Sequence, residues 1–347
     1  MTSSLEPATI YPENEWERGD PEALGFDPAR LAAAGNWQTE HAGDSPYRLL
    51  VVRHGRIAAE WHGGGMGPDD LQGQASASKS TYSTVLGIAI HEGVIDSADD
   101  LVVDYYPEFL DVAPDEGPKK NRHAFPEDAG ITFRQLTGNT SGYMKPGELP
   151  GRTFNYQTFG MNVVTHALAS AYSLYRTSDP ECGAGFGRLV ERKVRNLIGG
   201  SWKWTYSNFD LQPKAKLGVF GYATTFQMTA RDMARLGLLW LNDGDWEGRQ
   251  VVPAGWIRQA TRVSDMLLQH EPPSLWQYGL GFWCNDQGIL WPNLPRDSFA
   301  AVGAGKQFIW VDREHDLIVV QSPGTFEGSF SPAIGAEVAE QVLATLE

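Results

Sequence analysis

Residues Ser76, Ala77, Ser78 and Lys79 place a hydroxyl and an amine three positions apart. If a helix begins near them, these two side chains lie one turn apart on the same face. A serine is a weak nucleophile that needs an adjacent base, and a lysine can become that base when burial disfavours its charged form. The helix N-terminus also offers backbone N–H groups, including that of Ser76, to a developing oxyanion. The tetrapeptide is therefore compatible with nucleophilic acyl transfer, although taken alone it favours a solvent-exposed helix start.

The elements on either side of this tetrapeptide favour the catalytic interpretation. Residues 78–93 predict a helix with a strongly apolar face, which Gly93 would end. Two β-rich runs precede it, Arg48–Arg53 and Ile57–His62, and they predict a hairpin around a His-Gly turn. The serine would thus follow a hairpin and lie at the start of a buried helix.

Strand patterns fall near both ends of the chain, and helical patterns lie between them. Helices are predicted at 27–41, 132–137, 159–175, 186–198, 228–244, 253–262 and from 332 onwards, and strands at 278–284, 299–305, 307–312 and 316–322. This order predicts an α+β fold, in which an antiparallel sheet from both chain ends is flanked by helices and a helical region is inserted in the middle. Residues 1–80 and 211–347 would form the α/β region and 81–210 the mostly helical region, with the active site between them.

Five segments give the sequence a family resemblance that extends from about residue 20 to 345. They are QASASKSTYSTVLGIAIHEGVID, FRQLTGNTSGYM, PGRTFNYQTFGMNVVTHAL, TARDMARLGLLWLNDGDWEGRQVVPAGWI and FAAVGAGKQFIWVDREHDLIVV. Together they resemble the serine β-lactamase and penicillin-binding protein superfamily, in its branch of class C-like esterases and 6-aminohexanoate-dimer hydrolases. The resemblance implies a β-lactamase/transpeptidase-like fold with Ser76 as nucleophile and Lys79 as its base.

The same resemblance implies a catalytic tyrosine, for which the chain offers two candidates. The segment that carries this residue in the family places it at Tyr156. A phenol, whose pKa is ordinarily about 10, can act as base or acid when a neighbouring ammonium favours the phenolate. A literal Tyr-x-Asn motif begins instead at Tyr206, where the alternative is aromatic packing in a loop with Trp202 and Trp204. We expect Tyr156 to be the catalytic residue.

Two positions depart from the β-lactamase pattern. Thr158 stands where the tyrosine motif usually has Asn, and the third motif appears as Ala301-Val302-Gly303, without the cation that helps hold a substrate carboxylate. Efficient β-lactam hydrolysis is therefore not expected. Lys306 could replace the missing charge, although a solvated lysine at a strand end is the simpler interpretation.

The resemblance also implies an oxyanion hole and a cleft residue. The amides of Ser76 and Ala304 would hold the oxyanion, the latter from the edge strand. Tyr143 falls in the loop that borders the cleft in this family, so it is expected either to contact substrate or to pack in the core.

Composition excludes several other classes of protein. The 43 acidic and 28 basic residues give a formal charge of −15, which disfavours nucleic-acid and membrane partners. Two cysteines, Cys182 and Cys284, cannot form a disulfide framework, and the start lacks the pattern of a signal peptide, so a cytoplasmic location is expected. Eight scattered histidines indicate no metal site, and there is no Gly-x-Ser-x-Gly elbow.

The sequence therefore predicts a serine hydrolase that needs no cofactor and acts through an acyl-enzyme on a small ester or linear amide. Its activity would be that of a carboxylesterase or a 6-aminohexanoate-oligomer amidase. The alternatives are a β-lactamase or D-aminopeptidase, or a non-catalytic binding protein of the same fold. The expected partner is a small-molecule ester or amide, and a homodimer is left open.

Overall fold

The computed structural model describes residues 8–174, 185–208, 211–324, 331–333 and 335–347. The strands in this part of the chain are β1 (Tyr47–Arg53), β2 (Arg56–Gly63), β3 (Gln72–Gly73), β4 (Lys203–Ser207), β5 (Ala223–Met228), β6 (Asp245–Trp246), β7 (Arg249–Gln250), β8 (Trp283–Cys284), β9 (Ser298–Gly303), β10 (Gln307–Asp312) and β11 (Leu317–Gln321). The α-helices are α1 (Pro28–Ala42), α2 (Ser78–His91), α3 (Phe133–Thr137), α4 (Phe159–Ala171), α5 (Gly185–Lys193), α6 (Leu217–Phe220), α7 (Ala230–Leu241), α8 (Ala254–Ala260), α9 (Asp265–His270) and α10 (Ala336–Leu343).

A six-stranded antiparallel sheet joins the two ends of the chain, in the order β2-β1-β11-β10-β9-β8. Its central strands β1, β10 and β11 are mainly apolar, and all of their residues except Arg53 are buried, as expected of a sheet covered on both faces. The α+β prediction is confirmed. The predicted strand at 278–284 is wrong in extent, because only Trp283–Cys284 pairs with β9, while Tyr278 forms an isolated bridge to Trp283.

Helices cover both faces of this sheet. Helix α7 packs against β1, β10 and β11, where the absence of a side chain on Gly237 lets it approach Ile309 and Ile318 closely. Residues three apart on a strand point to opposite faces, so Gln321 faces the other side, where its amide donates to Gln38 of α1 at 3.3 Å. The sheet is therefore the buried middle layer of this part of the fold.

The described residues of the middle region include α-helices, 3₁₀ turns and one strand. Helices α2 to α5 lie within residues 81–210 or begin just before them, but Lys203–Ser207 forms strand β4. This strand pairs with β5 in a second sheet of order β3-β5-β4. Tyr206 therefore lies on a strand rather than in a loop. The predicted helix at 159–175 ends at Ala171, and the division into two regions stays a prediction.

The N-cap of α7 provides a test of the helix–sheet layer. Thr229 Oγ1 accepts a hydrogen bond from the backbone N–H of Asp232 at 3.0 Å. We expect Thr229→Ala to lower the free energy of unfolding by about 1 kcal/mol, because this N–H loses its partner. Urea unfolding measures the change. Thr229→Ser keeps the acceptor and serves as the control, and equal stability of the two variants would contradict this role for the cap.

Candidate active site

Ser76 and Lys79 lie in hydrogen-bonding contact at the start of α2. Ser76 belongs to a 3₁₀ turn, Ala75–Ala77, that leads directly into the helix. The turn begins with Ala75 at φ +45°, a conformation that non-glycine residues seldom adopt. Lys79 is only 3% exposed, and its Nζ donates to Ser76 Oγ at 2.6 Å. The predicted pair of nucleophile and amine is thus brought together in a buried position.

Tyr156 lies on the other side of this amine, just before α4. Lys79 Nζ is 4.7 Å from the centre of the Tyr156 ring, so the amine lies over the face of this ring. The ring packs against Tyr278 and Trp283, with centroid distances of 5.8 and 5.2 Å. Burial raises the pKa of Tyr278 well above its ordinary value, so this neighbour stays a neutral phenol. Tyr156 is therefore held against the lysine by an aromatic wall.

Asn139 fixes the backbone on both sides of Tyr156. Its carbonyl oxygen accepts from the N–H of Asn155 at 2.8 Å, and its side-chain Oδ1 accepts from the N–H of Gln157 at 2.9 Å. Asn139 has φ +56°, which Asn tolerates better than most residues. Sequence reasoning missed this role, and the only available signal was an Asn in the turn after α3. Asn139 is thus a positioning residue for Tyr156.

The end of β9 approaches the serine turn through a glycine. A Cβ on Gly303 would lie 2.8 Å from the backbone N of Ala77 and 3.1 Å from that of Ser76, and would overlap Gln74 O. Such distances leave no room for a side chain, so this position requires glycine. The next residue, Ala304, is exposed and lines the same cavity as Ser76. The two amides assigned to the oxyanion hole therefore belong to neighbouring segments.

The cavity at Ser76 has a volume of about 650 Å³. Lys79 and Tyr82 line it from α2, Thr158 and Met161 from the start of α4, and Ala223–Thr225 from β5. Lys306 is not among the lining residues. Ala301, the counterpart of the family's cation, is buried in β9. The cavity wall on the side of β9 thus carries no positive charge, as the sequence indicated.

The other two tyrosines named from the sequence pack within the protein. Tyr143 is fully buried, and its hydroxyl donates to Phe109 O at 2.6 Å, so the expected substrate contact is corrected to a core position. Tyr206 packs its ring against Trp204 and Tyr222, with centroids 5.5 and 5.9 Å apart. Burial raises its pKa to about 12. These contacts match the packing interpretation of Tyr206.

A few further sequence expectations concern other residues. Cys284 is a free, buried cysteine, whereas Cys182 lies outside the described residues. Across the described ranges, no cluster of three or more His, Cys, Asp or Glu side chains is arranged to hold a metal ion. No helix in that part of the chain combines the length and apolar character needed to cross a membrane.

Comparison with known proteins supplies the family. The Beta-lactamase family model matches residues 29–326, so the chain belongs to the beta-lactamase family. A 6-aminohexanoate-dimer hydrolase from Paenarthrobacter ureafaciens is 24% identical over 307 residues, which are 79% of this chain and 71% of that protein. The predicted resemblance to the serine β-lactamase and penicillin-binding protein superfamily is confirmed, and with it the assignment as a hydrolase.

Solved structures share the fold. A penicillin-binding protein homolog from Caulobacter crescentus superimposes with a TM-score of 0.67 at 15% identity, covering 93% of this chain and 99% of its own. A family VIII carboxylesterase gives a TM-score of 0.64 at 17% identity, covering 92% and 98%. The β-lactamase/transpeptidase-like fold is thereby confirmed.

Gly303 offers a direct test of the close approach between β9 and the serine turn. We expect Gly303→Ala to lower the free energy of unfolding by about 1–3 kcal/mol, because the added methyl group must displace one of the two segments. Urea unfolding measures the loss. Gly130→Ala is the control, since a Cβ there meets nothing within 4 Å. Equal effects of the two substitutions would contradict the close packing of this strand end.

Proposed function

We propose that this protein is a serine hydrolase that forms an acyl-enzyme at Ser76 and acts on a small ester or linear amide. The observation that carries the proposal is the 2.6 Å contact between Lys79 Nζ and Ser76 Oγ, made by a lysine that is 3% exposed. A buried amine beside a hydroxyl is the arrangement that an activated nucleophile needs. The cavity of about 650 Å³ at this serine has room for a small substrate.

The first half of the proposed reaction forms the acyl-enzyme. Lys79, as the neutral amine, takes the proton of Ser76 while Oγ attacks the carbonyl carbon of the ester or amide. The resulting oxyanion accepts hydrogen bonds from the amides of Ser76 and Ala304. Tyr156 donates a proton to the leaving alcohol or amine as the carbon–heteroatom bond breaks, and it recovers a proton from Lys79.

The second half releases the acyl group by hydrolysis. A water molecule takes the place of the leaving group and gives a proton to Lys79, which is again a neutral amine, as its oxygen attacks the ester carbonyl. The same oxyanion hole holds the second tetrahedral intermediate, and Ser76 Oγ leaves with the proton returned from Lys79. The contact between Lys79 and the Tyr156 ring supports the assignment of these two residues as a pair.

Two observations favour small esters and linear amides over β-lactams. Ala301 provides no cation on β9, and Thr158 replaces the usual Asn of the tyrosine motif. The relative from Paenarthrobacter ureafaciens is named as a hydrolase of 6-aminohexanoate dimer, a linear amide, and a carboxylesterase shares the fold. We therefore place β-lactamase and D-aminopeptidase activity second.

Substitution of the three proposed catalytic residues tests this assignment. Wild type should hydrolyse p-nitrophenyl acetate or butyrate, and Ser76→Ala, Lys79→Met and Tyr156→Phe should each lower kcat by about 100-fold or more, since each removes one member of a unit that acts together. Tyr206→Phe is the matched control and should keep wild-type activity. Full activity in Ser76→Ala would overturn the assignment.

A covalent probe separates a hydrolase from a binding protein that retains the fold. A fluorophosphonate should add one phosphonyl group to wild type, located at Ser76 by peptide mass spectrometry, and none to Ser76→Ala. Wild type that neither reacts with the probe nor hydrolyses esters would favour the non-catalytic alternative.

The hydrogen bonds of Asn139 give a separate test of Tyr156. Asn139→Ala removes the Oδ1 that accepts from the N–H of Gln157, so we expect kcat for p-nitrophenyl butyrate to fall about tenfold with little change in KM. Asn139→Asp keeps an oxygen at that position and should restore most of kcat. If both variants retain wild-type kcat, Asn139 does not position the tyrosine.

A further inference from the structure

A second, smaller cavity is lined by Tyr156 and the residues that follow it. Its volume is about 280 Å³, and Thr158 lines both cavities. Three basic residues contribute to its lining, Lys119, Arg122 and Lys145. We call this space the basic cavity.

Lys145 is the distinctive residue of the basic cavity. It is 6% exposed, and its Nζ has no hydrogen-bond partner among the described residues. The carboxylate of Glu148 is 3.6 Å away, beyond hydrogen-bond reach, and that carboxylate accepts from Asn155 Nδ2 at 3.2 Å. The two groups therefore form an ion pair without a hydrogen bond. An ammonium group has three N–H donors, and leaving such donors buried without hydrogen bonds is unfavourable. The side chain is thus placed to gain from an anionic ligand.

The charges around Lys145 add to this effect. Arg122 is half-buried and donates through Nη1 to Met144 O at 3.3 Å. Burial lowers the pKa of Lys145, and the nearby charge of Arg122 lowers it further against the opposing effect of Glu148. Lys119 Nζ lies 5.9 Å from the centre of the Phe159 ring. Three positive side chains therefore meet one carboxylate at this cavity, in a chain whose formal charge is −15.

We propose that the basic cavity binds an anionic group of the substrate, a carboxylate on either the acyl or the leaving side, through Lys145 and Arg122. The proposal rests on the proposed function, because it assigns the substrate class of the same site. It places a positive charge on the loop before Tyr156 rather than on β9, where Ala301 provides none. A carboxylate bound there would supply the hydrogen-bond acceptor that Lys145 Nζ lacks.

Two matched pairs of esters test the proposal and distinguish the two sides. The acyl-side pair is mono-4-nitrophenyl glutarate and its methyl ester. The leaving-side pair is 4-acetoxybenzoate and its methyl ester. In one of the two pairs, we expect wild type to show a higher kcat/KM for the carboxylate than for the methyl ester. Lys145→Met should lower this ratio of kcat/KM values by about tenfold, which is the effect of losing one hydrogen bond to a charged group.

Further variants control for charge and folding. Arg122→Gln should lower the same ratio, and Lys145→Arg should restore part of it. Lys120→Met removes the same charge from an exposed residue that does not line the cavity. The ratio of carboxylate to methyl ester in this variant should therefore equal that of wild type. If Lys145→Met and Arg122→Gln leave both ratios unchanged while the methyl esters are still hydrolysed, the proposal is overturned.

Equilibrium binding separates failure of this proposal from failure of the proposed function. If no ester is hydrolysed, calorimetry with monomethyl glutarate and with 4-hydroxybenzoate measures the carboxylate contact alone. Binding of either compound to wild type that weakens about tenfold in Lys145→Met supports the basic cavity. No binding to wild type, or equal binding to both proteins, overturns it.

Discussion

The contact between Lys79 Nζ and Ser76 Oγ is the constraint on which the site depends. Lys79 lies in a helix whose residues are buried from Ser78 to Ala89, so the amine cannot reach bulk water and must find its partners inside the protein. It finds the serine hydroxyl at 2.6 Å and the face of Tyr156 at 4.7 Å. The burial that makes the lysine costly to the fold also holds its amine against the serine hydroxyl.

Close packing at small residues holds this contact in place. Gly303 lets β9 lie against the backbone of the serine turn, and Gly237 lets α7 lie against Ile309 and Ile318 of the neighbouring strands. The sheet is therefore the framework that holds both the serine turn and the backbone amide of Ala304 in position. A site built on such elements is held more accurately than one built on loops.

The sequence predicted those parts of the molecule whose signals are local. The buried helix at Ser78, the hairpin before it and the strands at 299–322 follow from apolar periodicity within a few residues, and they were found close to their observed bounds. Strand β4 was missed, because its pairing with β5 joins segments separated by a helix. A strand of seven residues was predicted at 278–284, but only Trp283–Cys284 forms a strand. Its length is set by pairing with β9 and not by the strand propensity of its residues.

The same distinction between local signals and long-range contacts applies to the site residues. The contact between Ser76 and Lys79 could be predicted, because a spacing of three residues at a helix start brings two side chains together. Tyr143 was misplaced, because its neighbours in sequence cannot reveal that its hydroxyl reaches Phe109 in the core. The two hydrogen bonds of Asn139 and the buried position of Lys145 are likewise set by residues that meet only after folding.

The position of the positive charges bears on how this fold accommodates different substrates. In the proposed mechanism, β9 and the residue after it contribute only a glycine and a backbone amide to the oxyanion hole, so the side chain at Ala301 is not constrained by the chemistry of acyl transfer. A cation that recognises a substrate carboxylate can then be supplied by another wall of the cleft. Lys145 and Arg122 lie on the loops before Tyr156, outside the sheet and the serine turn. Loops carried on a rigid framework are where binding residues most readily differ between relatives, and the basic cavity fits that division between catalysis and recognition.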